Sequence, residues 1–204
     1  MKAKWVFFDM GSTLVDENEC YEVRFKETTK NTNIFYEEFV DKVLEMKMNN
    51  IYYPDKKTAE YFHLELAPFS SEHEKLFKEV NEVLEYLSKK KYKLGIIANQ
   101  NKGLKERLKE FGILHYFDVV ISSFESGISK PDKQIFLLAL KKANCLPREA
   151  FMVGDRLDND IIPAKEIKMN TILIRQGMYK DYVIPSEYKP TYVIDNLLDL
   201  KNIL

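Results

Sequence analysis

Three aspartates and one lysine of this chain lie where strands of a sheet are predicted to end. Asp9 follows the apolar run Val6–Phe8 and precedes a Gly-Ser-Thr turn, and Asp155 ends another apolar run. Asp160 comes five residues later, and Lys130 lies in a Ser-Lys-Pro turn. Clustered carboxylates repel one another unless a cation or a proton intervenes, and such oxygen ligands suit Mg²⁺. The pattern predicts a magnesium site, with the lysine balancing charge and holding an anionic substrate.

The elements that would position these residues alternate between strand and helix. Such alternation predicts an α/β fold with a Rossmann-like parallel sheet and right-handed crossovers. In open sheets of this kind the ligand crevice lies just outside the carboxyl ends of the strands, where the four charged residues are expected. Beyond the first strand, the predicted strands are Tyr92–Asn99, Val119–Ser122, Phe151–Asp155, Thr171–Ile174 and Tyr192–Ile194. The predicted helices are Glu74–Lys89, Leu104–Phe111, Pro131–Ala143 and Ile161–Ile167.

A stretch without strand character interrupts this alternation after the first strand. Apolar residues spaced at three and four predict helices near Glu19–Phe25, Phe35–Leu44 and Ala59–Leu66. We therefore predict two domains. A core consists of residues 1–16 and 71–204, and a helical domain of residues 17–70 is inserted into it.

Composition excludes several classes of function. The 204-residue chain has a formal net charge of −1 and so lacks the basic surface typical of proteins that bind nucleic acid or anionic membranes. Two cysteines, Cys20 and Cys145, are too few for a disulfide framework. No apolar run approaches transmembrane length, and the N-terminus leaves no room for a signal peptide before the first strand. We expect a cytoplasmic protein, monomeric or homodimeric, without nucleic-acid or membrane partners.

Four segments, in this order, resemble the four motifs of the haloacid dehalogenase (HAD) superfamily. They are Phe-Phe-Asp-Met-Gly-Ser-Thr-Leu, Gly-Ile-Ile-Ala-Asn, Ser-Gly-Ile-Ser-Lys-Pro-Asp-Lys-Gln-Ile-Phe and Val-Gly-Asp-Arg-Leu-Asp-Asn-Asp-Ile. The helical insertion is similar to the small cap that the family carries after its first motif. The resemblance covers essentially the whole chain and implies a HAD core with a helical cap.

The resemblance also implies roles for individual residues. Asp9 would be the nucleophile that becomes transiently acylated or phosphorylated. Asp9, Asp155 and the backbone carbonyl of Gly11 would bind Mg²⁺, and Asp160 would act through water or position Lys130. Lys130 would neutralise the nucleophile and the transferring group.

The phosphate-binding positions implied by the resemblance are Thr13, Ala98, Asn99 and Lys130. Thr13 is expected to form a hydrogen bond within the first loop. Ala98 replaces the hydroxyl residue usual in the second motif and so removes one hydrogen bond to a phosphoryl group.

The first motif also departs from the family, because its second aspartate is Gly11 in this chain. The family uses that aspartate as a general acid and base, a contribution typically worth about 10²–10⁴-fold in rate. Glycine retains the carbonyl that would bind metal but has no proton to give. Asp16 or Glu17 would be able to supply a displaced acid, although acidic residues at a helix start are commonly just partners of the helix dipole.

The leading prediction is a Mg²⁺-dependent phosphatase that acts on a small phosphorylated metabolite through an aspartyl-phosphate at Asp9. The alternatives are a dehalogenase-like hydrolase, a phosphonate-cleaving hydrolase, and a non-catalytic binding or regulatory homologue. Phosphonate cleavage would need a lysine of the cap for a Schiff base. The sequence does not rank the candidates, which are Lys26, Lys30, Lys42, Lys47, Lys56 and Lys57.

Overall fold

The computed structural model describes residues 3–49, 51–180 and 184–204. Its strands are β1 (Trp5–Phe8), β2 (Val15–Asp16), β3 (Lys75–Leu76), β4 (Lys93–Ala98), β5 (Val119–Ser122), β6 (Ala150–Gly154), β7 (Asn170–Ile174) and β8 (Tyr192–Ile194). Its α-helices are α1 (Asn18–Thr29), α2 (Tyr36–Met48), α3 (Pro54–Tyr61), α4 (Val80–Lys89), α5 (Leu104–Glu110), α6 (Ser123–Ser126), α7 (Lys133–Ala143), α8 (Ile162–Glu166) and α9 (Leu200–Ile203). One turn of π-helix, Leu157–Ile161, joins β6 to α8.

Six parallel strands form the main sheet, in the order β5-β4-β1-β6-β7-β8. This confirms the predicted Rossmann-like α/β fold. In the central strand, Val6 and Phe8 pack into one hydrophobic cluster while Trp5 and Phe7 pack into the other. Both faces of the strand are therefore buried, which explains its continuous apolar sequence.

Helices cover both faces of the sheet. The buried residues of α4, α5 and α9 belong to the cluster on one face, and those of α7 and α8 belong to the cluster on the other. Because β1 lies between β4 and β6, the chain segments that follow these three strands emerge side by side at one edge. The fold thus brings together loops that are far apart in sequence.

The helices α1, α2 and α3 form a separate unit, here called the helical insertion, between β2 and β3. Its own small core contains Phe25, Phe39, Val43 and Ala59. Met178, which follows β7 in the main sheet, packs into the same cluster and joins the insertion to the rest of the chain. Among the described residues, no helix is both long enough and apolar enough to cross a bilayer.

Two predicted helices were wrong at their boundaries. The segment predicted as helix from Glu74 begins instead with β3, whose Leu76 pairs antiparallel with Val15, and the helix starts only at Val80. The predicted helix Ala59–Leu66 in fact covers Pro54–Tyr61. Proline is compatible with the first turn, because its missing N–H has no partner there in any helix.

The start of α7 also differs from the prediction. Pro131 lies before the helix and not in its first turn, because Asp132 is the N-cap residue. A side-chain oxygen of Asp132 accepts a hydrogen bond from the backbone N–H of Gln134 at 2.9 Å. This capping bond satisfies one of the unpaired donors at the helix end and fixes the boundary.

Candidate active site

The four predicted charged residues meet at the carboxyl end of the central strands. Asp9 follows β1, Asp155 follows the adjacent β6, and Lys130 comes from the loop before α7. The ammonium of Lys130 lies 2.6 Å from Oδ1 of Asp9 and 2.6 Å from Oδ1 of Asp160. The structure therefore assembles the predicted carboxylates and lysine into one cluster.

Lys130 is held in place by its backbone as well as by its side chain. The side-chain amide of Asn99 donates to the Lys130 carbonyl at 2.8 Å and accepts from the Lys130 N–H at 2.7 Å. Asn99 follows β4, so these two bonds join the loops after β4 and before α7. The structure thus gives the predicted phosphate-binding residue Asn99 a positioning contact with Lys130.

The charge of Lys130 is stabilised by its neighbours. Burial disfavours a free ammonium, but the carboxylates of Asp160 and Asp9 outweigh burial and raise the pKa of Lys130 above its ordinary value. Only 3% of the residue is exposed, so water contributes little to solvating this charge. Lys130 is therefore a fixed positive charge beside Asp9.

Two of the carboxylates lack enough positive charge around them. Burial, followed by repulsion from Asp9 and Asp160, raises the pKa of Asp155 well above its usual range. Burial also raises the pKa of Asp160 to about 6, even though Lys130 opposes that change. One lysine does not compensate three clustered carboxylates, so a bound cation would relieve the remaining repulsion.

The geometry of the three aspartates fits a metal ion. One carboxylate oxygen from each of Asp9, Asp155 and Asp160 lies within 4.8 Å of the other two. Oxygen ligands about 2.1 Å from a Mg²⁺ ion would be separated by up to about 4.2 Å. Asp160 is the least available of the three, because Oδ1 accepts from Lys130 and Oδ2 accepts from the backbone N–H of Arg156 at 3.1 Å.

Two predicted phosphate-binding residues make contacts that the sequence did not predict. Thr13 bonds within the first loop through its backbone N–H, which donates to the Met10 carbonyl at 3.3 Å, and its hydroxyl donates to Oδ1 of Asp155 at 3.2 Å. Thr13 is completely buried, so its hydroxyl must find a partner inside the protein, and the adjacent β6 loop provides one. Ala98 ends β4, where it pairs with Ser122 of β5, and is also completely buried.

Glu17 lies beside this cluster, although the motifs did not single it out as a site residue. It is 8% exposed, and Oε2 accepts a hydrogen bond from the Ser12 hydroxyl at 3.2 Å. Burial, followed by repulsion from Asp9 and Glu74, raises the pKa of Glu17 to about 8. The only sequence signal was its acidity shortly after the first loop, which a solvated helix start would share.

Two cavities adjoin the cluster. A small one of about 130 Å³ is lined by Asp9 and Asp155, and a larger one of about 900 Å³ extends between the sheet edge and the helical insertion. Glu17 and Lys130 line both cavities. The reacting end of a ligand would therefore fit beside Asp9, and its remaining part would lie in the larger space.

The wall of the larger cavity contains polar residues that the sequence analysis missed. The guanidinium of Arg107, on α5, contacts the side chains of Glu74 and Gln100. Gln100 directly follows the predicted site residue Asn99, whereas no motif marks Arg107 or Glu74. Arg24, on α1, also lines this cavity and forms an ion pair with Asp55 at 2.7 Å.

Asp158, in the π-helical turn after β6, pairs with Arg156 beside the cluster. Its carboxylate accepts from Nε of Arg156 at 3.0 Å, and its side chain is only 9% exposed. The guanidinium of Arg156 in turn lies over the Tyr53 ring, 5.0 Å from its centroid. The π-helical turn after β6 folds Asp158 back onto Arg156, which covers both charges.

Comparisons with known proteins agree with this geometry. A family model described as haloacid dehalogenase-like hydrolase matches residues 6–174. The chain is 32% identical to a glyceraldehyde 3-phosphate phosphatase of Pyrococcus furiosus, with 100% of this chain and 93% of the relative covered. It is 31% identical to a protein of the same name from Methanocaldococcus jannaschii, with 98% and 96% covered.

A solved structure gives the same result for the fold. The crystal structure of a HAD phosphatase from Thermococcus onnurineus superposes with a TM-score of 0.67 at 25% identity, covering 100% of this chain and 97% of the other. These relatives extend over the sheet, the helical insertion and all four loops of the cluster, and the family model extends from β1 to the end of β7. The chain therefore belongs to the haloacid dehalogenase-like hydrolase family and is a hydrolase.

Proposed function

We propose that the protein is a Mg²⁺-dependent phosphatase that cleaves a small phosphorylated metabolite through an aspartyl-phosphate at Asp9. The observation that carries the proposal is the contact between Asp9 and Lys130. A nucleophilic carboxylate that attacks a dianionic phosphate must overcome repulsion, and an ammonium at 2.6 Å reduces it. The relatives aligned over the full chain are themselves named phosphatases.

The predicted metal ligands are consistent with this chemistry. Asp9, Asp155 and the carbonyl of Gly11 would hold Mg²⁺, and Asp160 would act indirectly by orienting Lys130. When bound, the ion would neutralise negative charge on the nucleophile and on the phosphoryl oxygens. The three clustered carboxylates and the raised pKa of Asp155 support such a site.

The cavities and the residues around Asp9 would each have a separate role in the reaction. The small cavity beside Asp9 receives the phosphoryl group, and the larger cavity receives the rest of the substrate. A carboxylate oxygen of Asp9 attacks phosphorus while Lys130 stabilises the charge on the transferring group. Asn99 holds Lys130 in position through its two hydrogen bonds to the Lys130 backbone.

The substrate proposed for the first assay is glyceraldehyde 3-phosphate. Its support is the name shared by two relatives that are about one-third identical over the whole chain. The larger cavity has polar walls, with Arg107 and Gln100 among them, as expected for a hydroxylated or carbonyl-bearing leaving group. Comparison with other small phosphorylated sugars and acids at equal concentration would establish the preference.

The helical insertion is proposed to act as a cap over the crevice, with residues 17–70 forming this domain and residues 1–16 and 71–204 the core. Tyr21, Arg24 and Tyr53 of this segment line the larger cavity together with core residues. Such an arrangement allows closure to exclude water once substrate is bound. Solution scattering with Mg²⁺ and a phosphate analogue should give a smaller radius of gyration than without them.

Phosphonate cleavage through a Schiff base receives no support from the cap lysines. None of the six candidates lines either cavity in the described part of the chain. Four of them, Lys26, Lys30, Lys42 and Lys57, form ion pairs on their own helices. A non-catalytic role is disfavoured because a purely structural scaffold would not need the close contact between Asp9 and Lys130.

The test is hydrolysis of p-nitrophenyl phosphate with Mg²⁺ by the wild type and by Asp9→Asn. We expect the wild type to turn over and Asp9→Asn to lose at least about 10³-fold in kcat, since the covalent route is removed. A matched control is Asp195→Asn, an exposed aspartate that pairs with Arg175 and lines neither cavity. Equal activity of Asp9→Asn and wild type would overturn the proposal, and so would an inactive wild type.

A further inference from the structure

The carboxyl group of Glu17 fills the space beside Gly11 that a side chain at that position would need. A Cβ atom added to Gly11 would lie 2.6 Å from both carboxylate oxygens of Glu17 and 2.8 Å from its Cδ. The first loop therefore presents a carboxyl group at position 11 even though residue 11 has no side chain. The group comes from six residues further along the chain.

Glu17 also lies where the bond to be broken would be found. It lines the small cavity with Asp9 and the larger cavity with residues of the helical insertion. A phosphate ester with its phosphoryl group beside Asp9 would pass its bridging oxygen through the junction of the two cavities. The Ser12 hydroxyl donates to Oε2 of Glu17, and among the described residues no donor to Oε1 is found.

Other acidic or basic groups at this junction are less suited to donate a proton. Lys130 already donates to Asp9 and Asp160 at 2.6 Å each. Asp155 accepts from Thr13 and belongs to the predicted metal site. Tyr21 is the remaining side chain with an acidic proton that lines both cavities, and it provides a direct competitor for the test.

We propose that Glu17 is the general acid and base of the reaction, in place of the carboxyl group that Gly11 cannot supply. This rests on the proposed phosphatase function. In the first half-reaction, Asp9 forms a bond to phosphorus, the bond between phosphorus and the bridging oxygen breaks, and the leaving alkoxide takes the proton of Glu17. In the second, water attacks phosphorus and gives a proton to Glu17 while the Asp9–phosphorus bond breaks. The products are the alcohol, inorganic phosphate and the original enzyme.

The distinguishing test varies the leaving group and measures kcat/KM. p-Nitrophenyl, phenyl and benzyl phosphates are similar in size, but their leaving groups need increasing help from an acid. For Glu17→Gln we expect kcat/KM on benzyl phosphate to fall by about 10²–10⁴-fold and kcat/KM on p-nitrophenyl phosphate to fall by less than about 10-fold. Glutamine keeps the size of the side chain and its acceptor for Ser12, so folding should be retained.

A second readout follows from the loss of the base. With p-nitrophenyl phosphate, Glu17→Gln should form the aspartyl-phosphate quickly and hydrolyse it slowly. Rapid mixing should therefore show a burst of about one equivalent of p-nitrophenol before a slower steady state, larger than any burst of the wild type. A residue that only supports the fold would not separate the two half-reactions.

A swap of positions gives a third readout. The double variant Gly11→Asp/Glu17→Ala places a carboxyl group at residue 11 and removes the side chain that would obstruct it. We expect it to recover at least about 10-fold in kcat/KM on benzyl phosphate relative to Glu17→Ala, within the range of acid catalysis. The matched control is Asp16→Asn, whose carboxylate accepts from the backbone N–H of Asn18 at 3.0 Å and lines neither cavity.

The outcomes separate this inference from the proposed function. If the wild type and Asp9→Asn behave as expected but Glu17→Gln loses the same factor on all three esters, or none, Glu17 is not the acid. The same conclusion follows if Tyr21→Phe or Asp16→Asn shows the selective loss, or if the wild type itself fails on benzyl phosphate while cleaving p-nitrophenyl phosphate. An inactive wild type would overturn both proposals together.

Discussion

In two acidic loops of this protein a carboxyl group packs against a glycine in the same way, but the other contacts of the two carboxyl groups differ. In the loop after β1, Gly11 leaves room for the carboxyl group of Glu17, and in the loop after β6, Gly154 leaves room for that of Asp160. The glycine precedes the acid by six residues in both loops, and the loops lie at the same edge of the sheet. In each case the missing Cβ allows a carboxylate to pack directly on the backbone.

The difference lies in what else contacts the acid. Asp160 accepts from Lys130 through one oxygen and from the Arg156 backbone through the other, and it is fully buried. Glu17 accepts from Ser12 alone among the described side chains and lines both cavities. A carboxylate with both oxygens engaged can orient a neighbour, whereas one with a free oxygen can exchange a proton. The comparison separates a positioning acid from a reacting one.

The largest effect is expected where both loops depend on the same lysine. Lys130→Met removes the ammonium that contacts Asp9 and Asp160, and we expect kcat to fall by about 10²–10³-fold or more on every phosphate ester. Because the loss concerns the transferring group and not the leaving group, all leaving groups should be affected alike. Lys133→Met, which removes an exposed lysine paired with Glu166, is the matched control. Retention of wild-type kcat in Lys130→Met would contradict the central role given to this residue.

When the metal is removed, the buried and mutually repelling carboxylates of both loops should make the free energy of unfolding depend on pH. In the metal-free folded protein the pKa of Glu17 is about 8 and that of Asp160 about 6, against ordinary values of 4.5 and 3.8. Between the ordinary and the raised values the folded state holds protons that the unfolded chain has released. The free energy of unfolding should therefore fall by a few kcal/mol as the pH rises from about 4.5 to about 8.

Chemical denaturation in a chelator at several pH values measures this dependence. Mg²⁺ should reduce the decline because the ion replaces protons among the carboxylates. Glu17→Gln should remove the contribution of Glu17, which extends from about pH 4.5 to about pH 8, and leave the contributions of Asp155 and Asp160. A free energy of unfolding that is constant or rises over this pH range in the chelator would show that the pKa values of these carboxyl groups are not raised in the folded protein.

The smallest expected effects are the stability losses on replacing Gly154 or Gly11 by alanine, and they should differ between the two positions. In Gly154→Ala the new Cβ would lie 2.6 Å from Cβ of Asp160, an atom next to the backbone that has little freedom to move. We expect a loss of about 1–3 kcal/mol in stability and a loss of activity independent of the leaving group. In Gly11→Ala the obstruction is the far end of the Glu17 side chain, so the stability loss should stay below about 1 kcal/mol. Thermal denaturation and the three phosphate esters together would check both, and equal effects would remove the distinction.

Most of the sheet was predictable because its strands, apart from the edge strand β8, are largely buried. The runs Val119–Ser122 and Tyr192–Ile194 were predicted with the bounds that the structure has. The predictions for β4 and β6 differ by one residue at each end, and the prediction for β7 differs by one residue at its start. The region around β3 was not predictable in this way. Its two residues pair with β2, so the strand exists only because two distant segments meet.

The candidate site shows a similar division. Asp155 and Asp160 were predicted as site residues because they lie five residues apart at the end of one predicted strand. Asp9 and Lys130 were predicted from the turns in which they lie. The contact from Thr13 to Asp155 was not found, since a buried hydroxyl selects its partner from whatever the tertiary structure places nearby. Arg107 and Glu74 were not found for the same reason, because each is an ordinary surface residue type in its own segment.

The sequence by itself determined the parallel α/β sheet, the helical insertion after its first strand, and the charged residues at the strand ends. Local patterns carry this information, because hydrophobic periodicity and turn residues act over a few positions. Only the tertiary structure decided that Glu17, and not Asp16, packs against Gly11, and that Asn99 bonds to the Lys130 backbone. These contacts depend on side-chain direction and close packing between loops, which no local pattern specifies.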